Sequence, residues 1–251
     1  MTGIKNILFF IVVFISNVIQ CITGFAGTVL AMPFSIILVG FDTAKTILNI
    51  LGLVASVGVL LMNRKSFNKK EFLRITGIMI IGMVIGFAVV KSFTVRAGIL
   101  YKILGVTVLA FTVMGCVNAF KKKTAENRIV REKKPSLFSY CVLTASGIVH
   151  GMFVCGGPLL IVYAGERLKD KDEFRATVSA VWIVLNSINL LTDIKNGNFN
   201  TEIMPLLIIS IIILFAAVIV GNKIAEKMNK KTFMIITYIL MGISALSLIV
   251  K

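Results

Sequence analysis

The chain has 251 residues, is 57% hydrophobic and has a mean hydropathy of +0.96; soluble domains hold roughly 45–50% apolar residues, so an ordinary soluble fold is excluded. The net charge of +16 sits in short connections between apolar runs, the positive-inside pattern of a membrane protein rather than a nucleic-acid-binding face. The runs approach the roughly 20 residues that span a bilayer and lack period-2 alternation, so they read as helices.

In chain order, the first apolar segments cover 4–22, 28–40, 44–62, 72–90 and 97–120. Lys5 ahead of the first run imitates a signal peptide, but no A-x-A site follows and the run continues to Ile22, so it reads as a retained membrane segment. A basic linker, 121–134, is closed by Pro135. Further segments follow at 136–150, 157–164, 174–192, 203–220 and 232–250. The expected architecture is an all-α polytopic membrane protein. It has an N-terminal membrane repeat over 1–120, a basic cytoplasmic linker over 121–135 and a C-terminal membrane repeat over 136–251.

A constant offset of 130 residues relates the halves: Asp42 to Asp172, Leu61 to Leu191, Gly27 to Gly157, Leu30 to Leu160 and Gln20 to His150. With 64–74 placed inside, the inside connections become 64–74, 121–134, 167–175 and 223–231, which hold 20 of the 27 Lys and Arg. Both termini then lie outside, and two halves of about five segments each have opposite orientation, a frequent transporter architecture. The segments 28–40 and 157–164 are too short to span, since 13 residues make about 20 Å of helix. Each follows a glycine-containing break, at 24–27 and 151–157, so each half is expected to start with a re-entrant or broken helix pair.

Two helix starts at Gly27-Thr28 and Gly157-Pro158 would offer free N–H groups and positive dipole ends to an anion near the midplane. Gly24, Gly151, Cys155 and Gly156 belong to the same two breaks. Close helix packing through small residues is the plainer use of these glycines. His150, the only histidine, stands beside the second break and is a candidate for anion binding or proton coupling; Gln20 occupies the matching place before the first. Asn186 and Asn189 are three apart on one helical face, Trp182 precedes Asn186 by four, and Asn49 and Ser56 share a face of the first-half helix. These polar groups are candidate pathway lining; interhelical hydrogen bonding is the competing use. Lys45 and Arg175 stand at helix starts, against the dipole, and are candidates for drawing anions in. Asp193, Glu166 and Glu202 are read as lying at segment ends, so a cation held by buried carboxylates is disfavoured.

Cys21, Cys116, Cys141 and Cys155 form no C-x-x-C, so neither disulfides nor a zinc site are expected, and no metal or other cofactor. No H-E-x-x-H and no carboxylate dyad is present, so no enzymatic activity is expected. A channel is the alternative to a carrier.

Two stretches carry a resemblance. One is Gly24-Phe25-Ala26-Gly27-Thr28-Val29-Leu30-Ala31-Met32-Pro33. The other is Gly151-Met152-Phe153-Val154-Cys155-Gly156-Gly157-Pro158, followed by Glu173-Phe174-Arg175-Ala176-Thr177. Ala26 and Thr28 replace glycines of the first motif, and Cys155 precedes the second glycine pair. Over essentially its full length the chain resembles the sulfite exporter TauE/SafE family of anion permeases. The resemblance implies secondary transport of sulfite, a sulfonate or another small organic anion across the cytoplasmic (inner) membrane of a bacterium. The expected partners are the lipid bilayer and the small anionic substrate, with no nucleic acid; a homodimer is one assembly open to it.

Overall fold

A computed structural model describes residues 2–23, 26–92, 137–168 and 171–227, with isolated helical positions between 102 and 113 and at 242 and 246. The expected segments at 97–120 and 232–250, the linker at 121–135 and Gly24 lie wholly or mostly outside the described residues.

The described chain is almost entirely helical, and no strand occurs among the described residues. The helices are α1 (Thr2–Thr23), α2 (Ala26–Val39), α3 (Phe41–Asn63) and α4 (Lys69–Ser92) in the first part, and α5 (Leu137–Phe153), α6 (Gly157–Arg167), α7 (Lys171–Lys195) and α8 (Met204–Lys227) in the second. Among the described residues five helices are long and apolar enough to cross a membrane: α1, α3, α4, α7 and α8. The segments expected to be short are short, with 14 residues in α2 and 11 in α6. The protein is a multi-pass α-helical membrane protein. Its outer surface agrees with that: Ile4, Leu8, Ile11 and Ile15 form an exposed stripe along α1, as Ile208, Ile212, Phe215 and Ile219 do along α8.

Lipid is as apolar as leucine, so helices in a membrane are held by close packing rather than by escape from water. The α4–α5 pair shows how. Gly82 and Gly86 on α4 face Gly147 and Gly151 on α5, each pair one helical turn apart. A Cβ on Gly147 would strike the Met79 carbonyl oxygen, and one on Gly82 the Thr144 carbonyl oxygen, so larger residues would force the backbones apart. The other extensive helix pairs are α3 with α7, α1 with α8 and α1 with α2. The core has two lobes. One gathers α1, α2 and α3 with the end of α5 and part of α8; the other gathers α4, α5, α6 and α7. Helix α4 therefore packs among the second half and α8 against the first.

The turn from α2 to α3 is made by Gly40, whose φ of 86° is open to glycine and strained for other residues. Beyond α3 a short 3-10 turn, Arg64–Ser66, leads to α4. There Asn68 caps α4 by accepting from the Glu71 amide at 3.0 Å, donates to Glu173 at 2.7 Å, and through its own amide donates to Thr177 at 3.1 Å. Glu71, nearly buried, pairs with Arg74 at 2.5 Å and Arg167 at 3.7 Å and accepts from the Tyr163 hydroxyl at 3.1 Å. This network fastens α4, α6 and the start of α7 at one end of the bundle.

Candidate functional site

Helices α3 and α7 cross antiparallel through the middle of the protein. Lys45 near the start of α3 meets Asp193 near the end of α7, and Asn49 donates to the Asn186 carbonyl at 2.9 Å. Gly52 leaves room for the Asn186 amide; a Cβ there would sit 3.1 Å from its nitrogen.

Beside this crossing, the starts of α2 and α6 meet. The second break is shorter than expected: α5 continues through Gly151 to Phe153, and only Val154, Cys155 and Gly156 are non-helical. Gly151 is therefore not part of an anion cradle. Its bare face lies against α4, where a Cβ would come 2.7 Å from the Met83 carbonyl oxygen. Val154 adopts φ 57°, a left-handed conformation that a β-branched residue pays about 1–3 kcal/mol to hold. The break is tied down by the buried Ser146 hydroxyl, which donates to the Gly156 carbonyl at 2.7 Å. Gly156, the N-cap of α6, supplies no side-chain cap, and a proline occupies the first turn. The first-turn amides of α6 thus have no intrahelical acceptor. The Cys155 thiol lies 3.8 Å from the Thr28 carbonyl and links the second break to the start of α2. Gly27 is used for packing: a Cβ would collide with Gln20.

A cavity of about 30 Å³ opens where these parts meet, lined by Gln20, Thr28, Gly52, His150, Gly157 and Asn186 together with Val29, Ser56, Val154 and Trp182. His150, 2% exposed, stacks on Trp182 with ring centroids 4.9 Å apart. Asn186 faces the His150 ring, yet among the described residues neither ring nitrogen has a partner in hydrogen-bonding geometry. The Asn186 side-chain oxygen is also unpartnered. Buried polar groups without partners cost free energy, so these atoms are available to hydrogen-bond a polar guest in the cavity.

Gln20, Ser56 and Trp182 also line a second, larger cavity of about 140 Å³. It is walled by Val54, Val59 and Met62 of α3 and by Phe174, Arg175 and Ser179 of α7, and forms a vestibule at the end of the seam near the 3-10 turn. Arg175 stands in it with no acidic partner among the described residues. At the other end Lys45 is different from its expected role. Its ammonium is buried and held 3.0 Å from Asp193, so its charge is neutralised in this conformation. Asp193 lies near the end of α7, as expected, but is fully buried there. Asn49 and Asn189 are fully buried between the small cavity and this ion pair; neither lines the cavity.

Of the residues singled out from the sequence, Gln20, Thr28, His150, Gly157, Trp182 and Asn186 line this one cavity. Sequence reasoning missed Gly52 and the burial of Asp193. The signal for both was the antiparallel pairing of the two long helices, which sets position 45 against 193 and 52 against 186.

The family model for Sulfite exporter TauE/SafE matches residues 8–248. No curated protein and no solved structure matches the chain.

Proposed function

Because the chain belongs to the sulfite exporter TauE/SafE family, whose members are membrane transporters, we propose that it exports sulfite or a similar small oxyanion across the inner membrane of a bacterium. The observation that carries this reading is the small polar cavity at which the starts of α2 and α6 meet. His150 and Asn186 turn unpartnered polar atoms toward it from one helix each. Helix starts favour anions through free amides and the macrodipole. Among the described residues no carboxylate lines that cavity to repel one.

The same reading takes the two halves as inverted repeats. Three pairs of cavity-lining residues stand 130 apart: Gln20 with His150, Gly52 with Trp182, and Ser56 with Asn186. The packing of α4 on α5 is matched by that of α8 on α1. Inverted repeats of this kind alternate access by rocking about a site at their interface. On this reading the charge asymmetry of the connections sets the Arg175 end of the seam toward the cytoplasm, and the conformation is taken as open inward.

Trp182 is the only tryptophan and lines both cavities, so its fluorescence reports on the site alone. Titrating purified protein with sulfite, and separately with a small sulfonate, is expected to change that emission saturably, while potassium chloride at matched ionic strength leaves it flat. A folded protein whose emission ignores every oxyanion would remove the reading.

A further inference from the structure

The ion pair at the closed end of the α3–α7 seam has no part in the site described above, and its surroundings are unusual for a structural staple. Lys45 and Asp193 meet at 3.0 Å with side chains 9% and 0% exposed. A buried pair is stable only when its remaining protons and lone pairs are also satisfied. Here they are not. The second Asp193 carboxylate oxygen has no partner among the described residues, and the Phe87 ring lies near the ammonium, its centroid 6.0 Å away.

Between this pair and the cavity lies a file of further unpartnered polar atoms. Thr46 Oγ1, Asn49 Oδ1 and both amide atoms of Asn189 are buried without partners. All sit on α3 or α7, and Lys45 to Gly52 is about 10 Å of helix. Polar atoms left unpaired on the two helices of one seam, beside an under-satisfied ion pair, fit a path that is shut better than a packed interior. The opposite end of the same seam is the open vestibule.

We infer that Lys45 and Asp193 gate the second mouth of the pathway, and that Lys45 is a further contact for the transported oxyanion, which the Asp193 carboxylate replaces while the mouth is shut. This rests on the anion-carrier reading above. A carboxylate and an oxyanion offer the ammonium the same charge-assisted hydrogen bonds. An arriving anion therefore competes with Asp193 for Lys45, and occupancy of the site favours the open mouth.

The test places a cysteine in the file by Asn189→Cys. It measures the reaction of a membrane-impermeant maleimide, added from the Lys45 side of sealed proteoliposomes, above the labelling of the chain without the added cysteine. Labelling is expected to be slow, to rise about tenfold with Asp193→Asn, and to return to slow in the reversed pair Lys45→Asp/Asp193→Lys. Asp193→Asn alone leaves a buried ammonium unpaired and can unfold the protein. The apolar pair Lys45→Met/Asp193→Leu keeps the packing, and with it saturating sulfite should no longer speed labelling as it does in the original pair. The inference is overturned if Asp193→Asn labels no faster, if the reversed pair labels as fast as Asp193→Asn, or if sulfite speeds labelling equally in the apolar pair. A gate that fails while sulfite still perturbs Trp182 leaves the carrier standing. A gate that opens on Asp193→Asn while no oxyanion perturbs Trp182 removes the carrier and keeps the gate.

Discussion

Lys45 and Arg175 stand 130 residues apart at the starts of α3 and α7, so the two ends of the seam begin from equivalent positions with equivalent charge. They end differently. Opposite Lys45 is Asp193, and the helices close over a buried ion pair. The position 130 residues before Asp193 is Asn63, whose amide is spent on the Val59 carbonyl at 2.8 Å. Arg175 lines a cavity of about 140 Å³ and has no carboxylate partner among the described residues. An acid stands at one end of the seam and an amide at the equivalent place of the other. On the gate proposed above, this one difference in side chain is what gives the resting state its direction.

The strongest way to break the comparison is Asp193→Ala. Removing one partner of a buried pair strands the other, so unfolding stability should fall by about 3–5 kcal/mol, read from thermal or denaturant melts in detergent. Asn63→Asp should sharpen it from the other side by giving Arg175 a partner. Quenching of Trp182 by acrylamide is expected to fall by about twofold as the vestibule narrows, and an unchanged quenching rate would show that the charge asymmetry does not set the open end. The smallest effect belongs to Arg175→Gln. A partly exposed cation without an acidic partner among the described residues contributes about 0.5 kcal/mol or less to stability, so the melt should barely move while the KM for the anion rises and loses some of its salt dependence.

Much of this frame was legible in the sequence because it rests on one-dimensional signals. Run length and the placement of Lys and Arg marked the membrane helices, and the two short segments appear as α2 and α6. Glycine clusters marked both breaks, although they could not distinguish a glycine that opens a cavity from one that seats a neighbouring helix. Gly151 belongs to the second kind, because its partner Met83 is far away in the chain. Asp193 illustrates the same limit. Near the end of an apolar run an acid reads as solvated, and only the antiparallel crossing of α3 on α7 buries it against a lysine 148 positions earlier. His150 and Trp182 could each be singled out as rare residues, but their stacking depends on α5 and α7 meeting around the strained turn at Val154.

The central claim is that a small oxyanion passes through the cavity that His150 lines, and labelled sulfite flux into proteoliposomes tests it most directly. The account predicts saturable, counterflow-competent transport by the unaltered protein and a loss of about tenfold or more in a folded His150→Ala variant. Folded protein that moves no anion in either direction, or a His150→Ala variant that transports as well as the parent, would contradict it.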